Sequence, residues 1–250
     1  MRPVAIFWSL WGIARSLLIY YCKPGRARRD RQFYNQFIGR GALVFDIGAH
    51  VGNRVGVFLQ LGATCVAVEP QPSFAAILQT LYRRHPAFNL VEAALGSAPG
   101  STALHISRRT PTVSTTSSEW QDQVGRSPSF AGVSWDESIS TEVETLDSLI
   151  ERFGPPDLCK IDVEGSELTV LQGLSRPLPL LSFEYIPAVA SVAVACVARL
   201  ESLGDYEYNW SRGESQRLQE QIWLSPAEMT AKLVSVGAHE PSGDVYARLT

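Results

Sequence analysis

Residues 43–53 read Leu-Val-Phe-Asp-Ile-Gly-Ala-His-Val-Gly-Asn, and this stretch decides the fold. Residues 43–47 form an apolar run broken only by Asp46, the pattern of a strand buried on both faces. Gly48 and Gly52 follow at once, and the pattern after them is helical over about 53–61. Glycines let the backbone approach a ligand closely, and a helix start offers it free N–H groups.

Outward from this turn, short apolar runs alternate with helical stretches. Strands are predicted at 63–68, 88–95, 157–163 and 180–185, and helices at 73–84, 145–152, 166–174 and 188–203. Segments 206–210 and 245–249 read as closing strands. Alternation of this length implies crossover units and a parallel sheet. Segments 101–107 and 140–143 also look like strands, separated by a Ser/Thr/Arg-rich stretch, 107–139. A long polar connection inside a compact domain is often a lid or substrate loop.

At 250 residues the chain suits one large domain with a short extension. With 45% hydrophobic and 19% charged residues it is not a disordered chain. The net charge of −3 argues against a nucleic-acid partner. That charge is uneven: residues 1–40 carry eight basic residues against Asp30 alone, a balance of +7 that leaves −10 for the rest. Cys22, Cys65, Cys159 and Cys196 lack zinc or disulfide spacing and read as reduced thiols, consistent with a cytoplasmic location.

Residues 4–21 are strongly apolar, with a narrow stripe at Ser9, Gly12 and Ser16, and a basic run follows from Lys23 to Arg31. This predicts an N-terminal helix that packs on the domain, self-associates, lies on a membrane surface or spans a membrane as an anchor. The expected organisation is an apolar helix and basic linker over 1–40, then a catalytic domain over 41–250.

The turn also constrains its ligand. Glu69 stands 23 residues after Asp46, at the tip of the second predicted strand, where doubly wound sheets bind a ribose diol. A dinucleotide site wants G-x-G-x-x-G, whereas Gly48 to Gly52 is G-x-x-x-G preceded by an acid. Asp46 would repel a pyrophosphate but suits the ammonium group of a methionine-type ligand, and an acidic cleft suits a sulfonium. The layout therefore favours S-adenosylmethionine over NAD. Cofactor candidates are Asp46, Gly48, Ala49, His50, Gly52, Asn53, Glu69, Pro70, Ala93 and Ala94.

With these residues in hand, the chain resembles the FkbM family of methyltransferases. The matching pieces are residues 44–53, Val68-Glu-Pro70, Ala93-Ala-Leu-Gly96, Val143-Glu-Thr-Leu-Asp147 and Lys160-Ile-Asp-Val-Glu-Gly-Ser-Glu167. The resemblance implies a Rossmann-like class I methyltransferase fold: a mostly parallel seven-stranded sheet with helices on both faces, plus the N-terminal helix. It also implies methyl transfer, usually to a hydroxyl on a carbohydrate or secondary metabolite. Asn53 stands where the family often has Gly, a change that Asn tolerates better than most residues.

Methyl transfer to oxygen needs a proton acceptor near the acceptor hydroxyl. Asp162, Glu164 and Glu184 lie at neighbouring predicted strand ends and are the catalytic candidates. Asp162 and Glu184 could instead hold a divalent cation. Acceptor candidates are Arg109, Ser114, Thr115 and Trp120 in the polar stretch, and Arg212 and Glu214 after the sixth strand. A small molecule or glycan is the expected acceptor. The alternatives are an NAD-type oxidoreductase and a non-catalytic, membrane-associated scaffold retaining the fold.

Overall fold

A computed structural model describes residues 3–125 and 130–250, with side chains from residue 11 onward. The apolar side chains of Phe7, Trp8 and Leu10, and residues 126–129 of the expected polar loop, lie outside the described residues. The chain opens with two helices, α1 (Pro3–Tyr21) and α2 (Arg26–Tyr34). β1 (Leu43–Ile47), α3 (Asn53–Gln60), β2 (Thr64–Val68), α4 (Pro72–Tyr82) and β3 (Phe88–Val91) follow as crossover units.

The middle departs from that pattern. β4 (Ala94–Leu95), β5 (Gly100–Ile106) and β6 (Glu137–Glu144) form a separate three-stranded sheet, ordered β4-β6-β5. The expected single strand over 88–95 is thus two strands in two sheets. The stretch expected as a polar loop contains a 3-10 turn, Pro111–Val113, and a helix, α5 (Ser118–Val124). Ser117 caps that helix by accepting from the Trp120 N–H at 3.1 Å.

The chain then resumes its alternation with α6 (Leu146–Phe153), β7 (Leu158–Ile161), α7 (Glu167–Gln172), β8 (Leu180–Tyr185), α8 (Ala190–Glu201), β9 (Tyr206–Trp210), α9 (Pro226–Ser235) and β10 (Gly243–Leu249). The main sheet is seven-stranded, ordered β3-β2-β1-β7-β8-β10-β9, and only β10 runs antiparallel to its neighbours. This is the expected mostly parallel α/β fold with helices on both faces.

The alternation within β1 builds both layers. Phe45 and Ile47 point into a core completed by α6 to α9, while Val44 joins a core completed by α2 and α3. Cys65, Cys159 and Cys196 are buried in these cores, and Cys22 is exposed.

Residues 26–34, expected within a basic linker, form a packed helix instead. Arg26, Asp30, Phe33 and Tyr34 recur at helical spacing and are all buried. Tyr34 packs edge-on against Phe58 at 4.9 Å, and Phe33 against Tyr246 at 5.3 Å. Arg28, Arg29 and Arg31 stay exposed.

In open α/β sheets, ligands bind beyond the carboxyl ends of the strands where the strand order reverses. Here that point lies between β1 and β7: Ile47 pairs with Ile161, and the Asp162 N–H donates to the Ile47 carbonyl at 3.0 Å.

Candidate active site

The glycine turn is fastened on three sides. The N–H groups of Gly48 and Ala49 donate to the Val68 carbonyl at 2.9 and 3.0 Å, tying the turn to the end of β2. Gly48 has φ of 80°, and a Cβ there would lie 1.9 Å from the Asp162 carbonyl oxygen, so only glycine lets β1 and β7 meet so closely. The third fastening is Glu69. Its carboxylate accepts from the N–H groups of His50 and Gln71, both at 2.8 Å. Glu69 thus braces the turn and the entry to α4, while each oxygen keeps a lone pair for a hydroxyl donor. Burial raises its pKa to about 7, against the pull of those two hydrogen bonds.

Asp46 is 1% exposed, and its Oδ2 has no hydrogen-bond partner among the described residues. Burial lifts its pKa to about 6, opposed by the charges of Lys160 and Arg54. An unpartnered buried carboxylate facing a cavity is costly unless a donor or cation arrives. His50 sits in the left-handed region at φ 50°, its ring edge-on to Tyr20 and Phe74 at 5.3 and 4.0 Å. Burial lowers its pKa to about 4, so the imidazole is neutral at physiological pH.

These groups face a cleft of about 970 Å³, counting its open mouth. Asp46, Gly48, Ala49, His50, Asn53, Glu69, Pro70, Ala93 and Ala94 line it, as do Ser114, Thr115, Asp162, Glu164 and Glu214. Gly52 does not; its open side faces Leu78 and Tyr82.

The catalytic candidates converge. Carboxylate oxygens of Asp162, Glu164 and Glu184 all lie within 4.8 Å of one another. Lys160, buried in β7, places its Nζ 2.7 Å from Asp162 Oδ2 and neutralises that member. Glu164 has φ of 52°, held by a pinned turn. Glu167 Oε1 accepts from the Val163 and Gly165 N–H groups at 3.1 and 3.2 Å, and the Thr115 hydroxyl donates to the Glu164 carbonyl at 2.6 Å. Glu184 Oε2 is buried with no hydrogen-bond partner among the described residues. Burial holds both glutamates well above the ordinary carboxylate range, reinforced at Glu164 by Asp162 and at Glu184 by Glu164. Such a cluster can accept a proton from a hydroxyl, and it can also hold a divalent cation.

The acceptor candidates divide. Ser114 and Thr115 face the cleft, and the Ser114 hydroxyl bonds Gln71 Oε1 at 2.9 Å. Trp120, expected at the acceptor, is 1% exposed and packs beneath Gly165 in a small cluster with Val124 and Val189. Its bulk supports the carboxylate turn from below. Arg109 is exposed and outside the cleft lining. Arg212 is also outside it, paired with Glu240. Glu214 lines the cleft but is held by Arg26 and Arg54, each at 2.7 Å. These guanidiniums outweigh burial and bring its pKa down to about 2. Arg54 also grips Asp30 at 2.7 Å, so one ion network joins α2, α3 and the segment after β9.

Several lining residues escaped the sequence reading, Tyr20, Gln71, Phe74 and Lys160 among them. Tyr20 had a signal: it extends the Ser9, Gly12, Ser16 stripe by one helical turn. Gly12, Ser16 and Tyr20 lie on the docked face of α1. Ser16 is buried, and a Cβ at Gly12 would lie 2.4 Å from the Arg108 carbonyl oxygen. The Tyr21 hydroxyl donates to the Val51 carbonyl at 2.8 Å, and Arg26 stacks over the Tyr20 ring at 4.8 Å.

The strand order and the cleft at its switch point define a Rossmann-like methyltransferase architecture. Residues 46–186 match the family profile of the methyltransferase FkbM domain, more than half of the chain. The protein therefore belongs to the FkbM methyltransferase family. That membership settles the class as methyl transfer, against the oxidoreductase alternative. Among solved structures, it is similar to a precorrin-6y C5,15-methyltransferase from Geobacter metallireducens, with 15% identity, 89% of this chain and 86% of that one covered, and a TM-score of 0.47. It is also similar to an O-methyltransferase from Bacillus cereus in complex with SAH, at 12% identity, 100% and 92% coverage and a TM-score of 0.46. An rRNA methylase from Streptococcus thermophilus stands at 11% identity, 88% and 94% coverage and a TM-score of 0.45. No curated protein matches the sequence.

Proposed function

We propose that the protein is an S-adenosylmethionine-dependent O-methyltransferase acting on a hydroxyl of a carbohydrate or secondary-metabolite acceptor. The observation that carries this reading is that Asp46, buried and unpartnered, and the Asp162–Glu164 pair open onto one cleft at the switch point. The residues present fit the cofactor. Gly48 lets β1 and β7 close to form the cleft floor, Asp46 would meet the amino group of the methionine moiety, and Glu69 has lone pairs left for the ribose. Ala93 and Ala94 would flank the adenine side, with Pro70 beside Glu69. S-adenosylmethionine, when bound, supplies a methyl group made electrophilic by its sulfonium.

The chain's own residues do the rest. Glu164, crowded, desolvated and lining the cleft, is more basic than a free carboxylate and takes the proton of the acceptor hydroxyl, with Glu184 raising its basicity from beside it, outside the lining. Lys160 pairs with Asp162 and holds it in place. Ser114 and Thr115 offer hydroxyls to a polar acceptor, and Tyr20 excludes water from above. A second reading has Asp162 and Glu184 hold a divalent cation that acidifies the hydroxyl, and the compactness of the cluster favours it.

The test is methyl-ether formation on a panel of hydroxylated glycans and polyketide-like alcohols, read by mass spectrometry. Glu164→Gln is expected to lower kcat by about 10²–10⁴-fold, and Glu184→Gln to lower it less, while cofactor affinity stays unchanged. Unaltered turnover in both variants would refute the assigned roles. Loss of turnover on chelation, restored by magnesium, would select the cation reading.

A further inference from the structure

Helix α1 has two contrasting faces. The face carrying Gly12, Ser16 and Tyr20 docks against the Arg108 backbone, Pro111 and the cleft. The other face is open: Trp11 is 55% exposed and Leu18 61%. Trp11, Arg15, Leu18 and Cys22 are all exposed and fall at helical spacing on one side. Trp11 and Leu18 stand on the same side of the helix as Arg15, so apolar and basic side chains share one exposed row.

Charge marks the occupant of this surface. Arg15 lies within the exposed apolar row, and Tyr21, Cys22, Lys23 and Arg28 line one groove at its end. The first 40 residues carry +7 and the remainder −10. An anionic surface would attract the exposed Arg15, Lys23, Arg28, Arg29 and Arg31. No helix among the described residues is long and apolar enough to cross a membrane. Apolar side chains flanked by basic ones along a helix are the chemistry of interfacial binding to anionic lipid.

We infer that the open face of α1 binds an anionic lipid surface and brings the cleft to the bilayer, so that the methyl acceptor is a lipid-borne molecule with its hydroxyl in the headgroup region. The inference rests on the methyltransferase reading for the acceptor and on the α1 surface alone for the docking. Its geometry is simple. One side of α1 walls the cleft and the other meets the lipid, so a helix diameter of about 10 Å separates the two. A glycosylated headgroup spans that distance. Arg26 is excluded from the contact because it is committed to Glu214 and buried.

The experiment is flotation of the full chain with vesicles of phosphatidylcholine alone and of phosphatidylcholine with phosphatidylglycerol. Binding is expected only to the anionic vesicles and should weaken as salt rises. The triple variant Arg15→Gln, Lys23→Gln, Arg28→Gln should bind about a hundredfold more weakly. Trp11→Ser with Leu18→Ser should also lose binding, through the apolar contribution alone. Calorimetry with S-adenosylmethionine on the same variants should give unchanged affinity, which shows that they are folded and keeps failure of docking distinct from failure of the methyltransferase reading. Equal or absent binding to both vesicle types would overturn the inference. So would sedimentation showing that Trp11 and Leu18 hold two copies of the chain together in a form that ignores vesicles.

Discussion

Replacing Gly48 with alanine tests how closely β1 and β7 must approach to make the cleft. The added Cβ would lie 1.9 Å from the Asp162 carbonyl oxygen and 2.9 Å from its carbon. Neither atom belongs to a rotatable side chain. The Asp162 peptide is held by its own N–H bond to Ile47, and Gly48 by its bond to Val68. The left-handed backbone, φ 80°, adds strain for any L residue, about 1–2 kcal/mol. Forcing the overlap adds about 1–3 kcal/mol. Gly41 supplies the control, because it has φ of 81° and nothing within 4 Å of a built Cβ. Both variants share the strain and the small gain from a stiffer unfolded chain, about 0.4–1 kcal/mol, so their difference isolates the overlap. Urea unfolding should place Gly48→Ala about 1–3 kcal/mol below Gly41→Ala at an unchanged m-value. Cofactor affinity should fall in Gly48→Ala and hold in Gly41→Ala. Equal losses in the two variants would refute the claim that this turn is defined by contact with β7.

Two further outcomes follow from the charges. Arg54→Met leaves Asp30, with 3% side-chain exposure, facing only the more distant Arg26 at 3.8 Å. The expected cost is about 3 kcal/mol, read as a melting temperature lower by roughly 6–12 °C. The raised pKa values of Asp46, about 6, and Glu69, about 7, set a pH dependence of opposite sign for stability and for binding. The folded state holds these protons longer than the unfolded chain does, so the free protein loses stability as pH rises from the ordinary carboxylate range through about 7. A ligand that binds the ionised carboxylates gains instead: from Glu69 alone, affinity at pH 5.5 should be roughly thirtyfold weaker than at pH 8. Calorimetry near pH 6.5 in buffers of different ionisation enthalpy should detect proton release on binding; proton uptake would contradict the assignment.

Legibility in the sequence followed the range of the interactions. The stretch 43–53 could be read because everything it does is local: an apolar run, two glycines, a helix start. The seven main strands were legible for the same reason. α2 was not, because its inward face pairs Arg26 and Asp30 with aromatics, and a charged inner face looks like linker. The second sheet was hidden because nothing local says that 94–95, 100–106 and 137–144 pair with each other rather than with the main sheet. The carboxylates at 162, 164 and 184 were foreseeable from topology, since adjacent parallel strands bring their carboxyl ends together. Trp120 was misplaced because composition shows that a loop carries an aromatic residue and not which way it points. The capping box at Ser225 and Glu228, with Pro226 between them, announced α9 and went unread.

The central claim is that the Asp46–Glu69 cleft binds S-adenosylmethionine. Its most direct test is a calorimetric titration of the full chain with the cofactor at pH 8, beside Asp46→Ala and Glu69→Gln. The account predicts saturable binding at one site per chain, lost or strongly weakened in Asp46→Ala and weakened in Glu69→Gln. No binding to the folded wild-type chain, or full binding by Asp46→Ala, would contradict it.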